Sequence, residues 1–197
     1  MSDEMTIRAY DENVDLYKTC VAHATDNKAL KIFEKSLPRQ SNVLDLGCGP
    51  AHASVFFREH GHAPDPVDAS IEMVEHANLL SHIGARQATF DDIDMISHYD
   101  GVWANFSLLH AERKDFPAHL KALFAALKSP GIFHLAMKLG DGTKRDRLNR
   151  RYTYYTENEL KTLLTEAGFE ITRCSTYEEQ GLAGTIDPCI TILARKD

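Results

Sequence analysis

The stretch VLDLGCGPAHAS, residues Val43 to Ser54, runs strand-forming residues straight into two glycines and a proline, then into the start of a helix. Asn42 to Leu46 is read as a buried strand. Ala51 to His60 is read as a helix that turns Phe56 and Phe57 to the core and ends at Gly61. Gly47 and Gly49 have no side chains, so the backbone between strand and helix can turn tightly and approach a ligand closely. Asp45 stands just before them, placed to accept hydrogen bonds from turn amides or, through water, from a cationic ligand group. A tight strand-to-helix turn with no ligand is the alternative reading.

The same alternation continues on both sides of this turn. Upstream, a first helix is expected over about Glu12 to Cys20. A second, capped by Asp26, carries Ala29, Leu30, Phe33 and Leu37 at helical spacing and stops at Pro38. Downstream, a short strand finishes at Asp68, and a helix capped by Ser70 follows with Ile71, Val74 and Ala77 along one side. Arg86 to Phe90 and Gly101 to Ala104 are strand candidates, the latter ending at Asn105. Apolar residues at 116, 120, 123, 124 and 127 draw an amphipathic helix that closes at Ser129-Pro130-Gly131, with a strand from Ile132 to Met137. Thr156 to Glu159 is a capping box that opens a helix with Leu160, Leu163 and Leu164 inside and Gly168 at its end. Strands are expected over Phe169 to Cys174 and Cys189 to Ala194. Strands alternating with helices imply a parallel sheet covered on both faces. The last two strands have only STYEEQGLAGTIDP between them, which predicts an antiparallel, long-looped hairpin.

With 197 residues, 43% of them hydrophobic, the chain suits one domain over 1–197, its first 38 residues forming an N-terminal helical lid or extension. No stretch approaches about eighteen consecutive apolar residues and the N-terminus is acidic, so a soluble cytoplasmic protein is expected. The net charge of -7 opposes nonspecific attraction to nucleic acid or an anionic membrane. Cys20, Cys48, Cys174 and Cys189 form no C-x-x-C pair and read as reduced thiols. His60-Gly61-His62 has no accompanying carboxylate or cysteine cluster, so no metal site is expected.

In a doubly wound sheet, ligands sit beyond the carboxyl ends of the strands, where connections diverge to opposite faces. Asp68 ends the strand after the glycine turn, within reach of two ribose hydroxyls at the same crevice, which favours a nucleoside-containing cofactor. A dinucleotide fingerprint beginning at Gly47 would need a small residue at position 52, where His52 stands, and the Walker pattern is absent. S-adenosylmethionine, which has no phosphate, asks less of the helix start.

These residues resemble the class I S-adenosylmethionine-dependent methyltransferases along nearly the whole chain. VLDLGCGP is similar to that family's first motif, PVDAS to its second and GVWANFSLLH to its fourth. The likeness is closest to small bacterial methyltransferase-domain proteins of the tellurite-resistance-like type, through the stretch that begins KLGDG and runs to the capping box. The resemblance implies a Rossmann-like doubly wound seven-stranded sheet of order 3-2-1-4-5-7-6, the last strand antiparallel, with helices on both faces. It implies that Asp45, Gly47, Cys48 and Gly49 of the first motif and Asp68 and Ala69 of the second hold the cofactor. Thr89 and Phe90 would then lie beside adenine, with Asp91 or Asp92 as an alternative partner for its amine. Met73 would pad the nucleoside and Asn105 would line the methionine portion. Two positions depart from the pattern. Ala51 stands where a third glycine is usual, and Pro66 stands two before the acidic residue, where glycine is common.

A sulfonium-bound methyl group is already electrophilic, so the protein's task is alignment for direct in-line displacement, and a base is needed only for a protonated acceptor. Catalytic candidates are His110, after the fourth strand, and Tyr10 and Tyr17, from the N-terminal segment. Lys138, Arg151 and Tyr154, in KLGDGTKRDRLNRRYTYY, are candidates for holding the acceptor. The expected function is methyl transfer to a small-molecule acceptor, with S-adenosylhomocysteine as the other product. A non-catalytic S-adenosylmethionine or nucleoside-binding protein is the alternative. An RNA methyltransferase would use the arginines and tyrosines of that stretch, but overall acidity and the lack of an attached RNA-binding module count against it. His52 and the terminal hairpin count against a nicotinamide-dependent reductase. The oligomeric state is left open.

Overall fold

The computed structural model describes residues 3–14, 28–181 and 184–197. Its centre is β1 (Asn42–Leu46), which pairs in parallel with β2 (Ala63–Asp68) on one side and β4 (Tyr99–Asn105) on the other. Outside β2 lies β3 (Arg86–Gln87) and outside β4 lies β5 (Leu127–Lys138), both parallel to their neighbours. A separate two-stranded sheet joins β6 (Thr143–Arg145) to β7 (Arg151–Thr153). The main sheet is completed by β8 (Glu170–Gln180) and β9 (Ile186–Lys196), with β9 antiparallel to both β5 and β8. The order is β3-β2-β1-β4-β5-β9-β8. Numbered within the seven-stranded sheet alone, this is the expected 3-2-1-4-5-7-6.

Successive strand residues face opposite ways, and the helices follow that alternation. Val43 and Trp103 face α2 (Lys28–Ser36) and α3 (His52–Glu59), which bring Leu30, Phe33, Phe56 and Phe57 to one core. Leu44, Leu46, Val102 and Ala104 face the other way, into a core shared by α5 (Phe116–Ala126) and α6 (Glu157–Glu166) through Phe116, Leu120, Leu160 and Leu164. Each such fully buried side chain contributes about 1.5–3 kcal/mol. The contact is close at Gly101, where a Cβ would lie 2.6 Å from Leu37 and 2.8 Å from Phe33, so the glycine lets α2 lie directly on the sheet.

Several boundaries differ from expectation for local reasons. β3 stops at Gln87 because Asp92 accepts from the backbone and hydroxyl of Thr89, both at 2.8 Å, folding Phe90–Asp92 into a 3-10 turn. Ser70 caps α4 (Ile71–Ser81) through the Met73 amide, but the buried side is Met73, Val74 and Ala77, and Ile71 is exposed. Beyond α5 the chain enters β5 at once. Tyr99 pairs with Leu127 and Gly101 with Ile132, so Ser129-Pro130-Gly131 is absorbed as an irregularity within the strand. Most of the expected long loop before β9 is strand, leaving residues 181–185 between β8 and β9. Pro66 lies inside β2, opposite Asp45, and does not interrupt it. Within the N-terminal segment expected to be helical, α1 (Glu4–Asp11) lies ahead of the helix expected at 12–20 and is capped by Asp3, which accepts from the Thr6 amide at 3.1 Å. Of the helix expected at 12–20, only residues 12–14 are described; Asp26 and Tyr17 lie outside the described residues. Among the described residues, no helix is long and apolar enough to cross a membrane.

Candidate active site

The turn after β1 is built from backbone. The amides of Gly47 and Cys48 both donate to the carbonyl of Val67 on β2, at 2.8 and 2.9 Å. Gly47 has φ +72°, and a Cβ there would lie 2.4 Å from Cβ of Ser107, which follows β4. The Gly49 amide donates to Asp68 Oδ2 at 2.8 Å and the Ser70 amide to Oδ1 at 2.9 Å, so the carboxylate ties the turn to the end of β2. Ala51, at the usual third glycine, holds φ +60° and ψ 30° without a side-chain cap. It takes the left-handed conformation that glycine adopts freely, at a cost of about 1–2 kcal/mol. The missing glycine therefore leaves strain at this position of the turn. Asp45 is buried beneath the turn and accepts from the Ser54 hydroxyl at 2.7 Å. Burial pushes its carboxyl up to about 7, and burial also raises Asp68 despite its amide donors.

This turn forms part of the floor of an open cleft of about 700 Å³, which includes open solvent. The cleft follows the strand tips: Ala88, Thr89 and Phe90 after β3, Asp68 at the end of β2 with Ala69 and Ser70 beyond it, Gly47 and Gly49 after β1, and Phe106 and Ser107 after β4. Met73 of α4 lines it, Asp3, Thr6, Ile7 and Tyr10 of α1 face it, and His110 stands at its β4 end. Of the residues singled out from sequence, Gly47, Gly49, Asp68, Ala69, Met73, Thr89, Phe90, Tyr10 and His110 thus share one cavity.

The others do not line it. Asp45 lies below the floor. The Cys48 thiol approaches the Gly49 carbonyl at 3.5 Å, its pKa pushed up by burial and by Asp45. Asn105 Oδ1 accepts from His134 Nε2 at 3.1 Å. Lys138 pairs with Asp187 at 2.6 Å and sits over the Tyr152 ring, against which Tyr154 stacks at 6.1 Å. Arg151 pairs with Asp3 at 2.9 Å and Glu112 at 3.0 Å. It holds α1 in place instead of lining the cleft. Arg145 grips the same Asp3 at 2.8 Å, and the Ser70 hydroxyl donates to Asp11 at 2.5 Å. Burial raises the Asp3 pKa, but Arg145, Thr6 and Arg151 outweigh it and hold the carboxyl well below the usual range.

At the β4 end the hydrogen bonds run in one direction. His110 Nδ1 lies 2.5 Å from the Arg151 carbonyl, which can only accept, so Nδ1 carries the hydrogen. Nε2 of the neutral ring then accepts from the Tyr10 hydroxyl at 2.8 Å. Arg150, buried and paired with Asp146 at 2.6 Å, donates to the Tyr10 oxygen at 3.2 Å. Burial pulls His110 down to about 4, against its bond to the Arg151 carbonyl, and burial raises the Tyr10 phenol. Sequence reasoning missed Arg150, Ser107 and the bounds of α1. Asp3 three residues before Thr6 was a usable cap signal; the other two carry no local mark.

A bare Gly47 wall, a carboxylate with lone pairs beyond its two amide bonds and a buried serine hydroxyl without a partner among the described residues suit an extended polar nucleoside. Residues 20–173 match the family model described as a methyltransferase domain. The chain is 28% identical over 145 residues to the candidate methyltransferase YqeM of Bacillus subtilis, covering 67% of this chain and 58% of that protein. It therefore spans less than two thirds of that relative. It is 26% identical over 204 aligned positions to the carboxy-S-adenosyl-L-methionine synthase of Campylobacter fetus subsp. fetus, covering 85% and 86%. Its fold is similar to that of Burkholderia thailandensis 1,6-didemethyltoxoflavin-N1-methyltransferase, solved with 1,6-didemethyltoxoflavin and S-adenosylhomocysteine (TM-score 0.79, 24% identity, 98% of this chain and 87% of that one). Matched over most of its length and wound in the expected strand order, the chain belongs to the class I S-adenosylmethionine-dependent methyltransferase family.

Proposed function

We propose that this protein transfers a methyl group from S-adenosylmethionine to a small-molecule acceptor seated between α1 and the tip of β4. The carrying observation is that Asp68, the glycine turn and the Tyr10–His110 pair lie in sequence along one cleft. Thr89 and Phe90 flank the adenine, the Asp68 carboxylate accepts from the ribose hydroxyls, and the bare Gly47 backbone lets the methionine portion pass. The bound cofactor supplies an electrophilic methyl on a cationic sulfur. α1 closes the cleft from above and keeps water away, so that acceptor and methyl meet at near-attack distance, an alignment effect that supplies up to about 7–11 kcal/mol. Tyr10 donates to Nε2 of the neutral His110, which fixes the phenol at the β4 end of the cleft, where it is positioned to orient a hydroxyl or amine acceptor by hydrogen bonding.

Nucleic acid is disfavoured as acceptor because Arg145, Arg150 and Arg151 are spent on Asp3, Asp146 and Glu112 instead of forming a free phosphate-binding patch. A second reading, conversion of S-adenosylmethionine itself, draws on the similarity to the carboxy-S-adenosyl-L-methionine synthase. Incubation with methyl-labelled S-adenosylmethionine and a small-metabolite pool separates the two. Label recovered in a metabolite together with S-adenosylhomocysteine supports methyl transfer; label retained on a modified nucleoside refutes it. Binding of NADH in preference to S-adenosylhomocysteine would discard both.

A further inference from the structure

The main sheet ends in two unlike edges. β3 is two residues long and the turn between Thr89 and Asp92 stops it, whereas β8 runs eleven residues with no strand on its outer side among the described residues. After an irregularity between Ile171 and Arg173, β8 pairs with β9 in unbroken register, from Arg173 opposite Leu193 to Gln180 opposite Ile186. The Gly181 amide donates to the Thr185 carbonyl at 2.9 Å, and Pro188, opposite Glu178, turns its carbonyl away from β8 to the Leu139 amide at 2.7 Å. Odd-numbered residues of β8 therefore bond to β9, while Cys174, Thr176, Glu178 and Gln180 turn N–H and C=O outward. No proline or lysine blunts this run, so it is a template for another strand.

Its charges indicate which strand fits. Arg173 is exposed and forms no ion pair among the described residues. Glu178 and Glu179 stand toward the other end, Glu179 directly across from Asp187 of β9, a like-charge pair that favours a cation on its open side. Cys174 to Tyr177, between them, carry no formal charge. We propose that the β8 edge is a homodimer interface, in which two copies pair antiparallel about a two-fold axis at Thr176 and continue the sheet from one copy into the other. Centred there, Arg173 of each copy faces Glu179 of the second copy, Ser175 faces Tyr177, and the outward groups of Cys174, Thr176 and Glu178 make about six inter-chain hydrogen bonds. Neighbouring registers lose this match. Centring at Arg173 sets the two arginines together, centring at Cys174 sets Glu170 against Glu178, and centring at Ser175 or Tyr177 leaves Arg173 without an acid opposite. Such pairing uses both free edges, so assembly closes at two copies.

One strand pair is a small interface, so the dimer is expected to be concentration-dependent. The test is sedimentation equilibrium of the full chain across the micromolar to submillimolar range, for the wild type, R173E, E179R, the double variant R173E/E179R and T176P, with thermal melting of each. The wild type is expected to reach a dimer and stop there. Either single reversal sets like charges together at both ends of the pairing and should weaken dimerisation about tenfold or more, whereas the double reversal restores opposite charges and should recover it. T176P removes an outward N–H and leaves the bonds to β9 in place, so it should melt cooperatively as a monomer. A wild type that stays monomeric at every concentration or assembles beyond two copies overturns the assignment. So does a dimer untouched by the single reversals, or a loss that the double reversal fails to rescue.

Discussion

Replacing Gly47 with alanine tests whether the glycine turn is dictated by its surroundings or by its backbone angle alone. A Cβ-bearing residue at φ +72° costs about 1–2 kcal/mol. The added methyl would also lie 2.4 Å from Ser107 Cβ, and Ser107 is fixed beside the sheet by its position after β4. Overpacking of this kind adds about 1–3 kcal/mol. Gly61 is the matched control, because its φ is +83° but nothing lies within 4 Å of its Cβ direction. G61A should therefore show the angle cost alone. G47A should be less stable than G61A by about 1–3 kcal/mol, which for a chain of this size lowers the melting midpoint by a further 2–12 °C or so. Thermal melting of the three proteins measures this, and calorimetry should show weaker S-adenosylhomocysteine binding for G47A only. Equal melting temperatures for the two variants, or wild-type binding by G47A, would refute the close-approach argument.

Asp68→Ala should weaken S-adenosylhomocysteine binding by about 1.5–3 kcal/mol through loss of charged hydrogen bonds, read by calorimetry; unchanged affinity would count against the ribose role. Burial holds Asp45 at a pKa of about 7 in the folded protein, above the unfolded value of 3.8, so the unfolded state gives up its proton first and stability is lost as pH rises from about 4 to 7. Urea titrations should show that decline for the wild type and a flatter profile for D45N; identical profiles would contradict the shift. His110 falls from 6.5 in the unfolded chain to about 4 in the folded one. The unfolded state thus takes up the proton first, and the stability that His110 contributes above pH 6.5, up to about 3 kcal/mol, is lost as pH falls toward 4. Urea titrations of H110N should show a shallower acid loss than the wild type; identical slopes would contradict the shift. Asp3→Ala cuts α1 loose from Arg145 and Arg151 and should speed S-adenosylhomocysteine release about 5- to 30-fold in stopped flow, whereas an unchanged rate would mean α1 does not gate the cleft.

Features written in neighbouring residues were legible. The turn at Gly47 and Gly49, the Ser70 cap and the Thr156 capping box each depend on side chains within a few positions, and Asp68 was found because it ends the next strand. Most of what escaped depends on distant partners. Ser107 matters because the fold sets it against Gly47, sixty positions earlier. The run KRDRLNRR reads as a basic patch until Arg150 is seen turned inward to Asp146 and Arg145 and Arg151 locked onto Asp3. β8 is an edge strand with almost every side chain exposed, and beyond Cys174 it lacks the apolar alternation that marked its first half as a strand. Its true length emerges only from pairing with β9. After β3, a local side-chain bond, donated by the Thr89 hydroxyl to Asp92, ends a strand that composition alone would extend to Phe90.

The most direct measurement is a crystal structure of the protein grown with S-adenosylhomocysteine. The ribose hydroxyls should lie within hydrogen-bond distance of the Asp68 carboxylate, with the thioether crossing the Gly47 turn toward Ser107 and the Tyr10–His110 pair. A structure in which the ligand is absent at saturating concentration, or binds away from Asp68, would contradict the account.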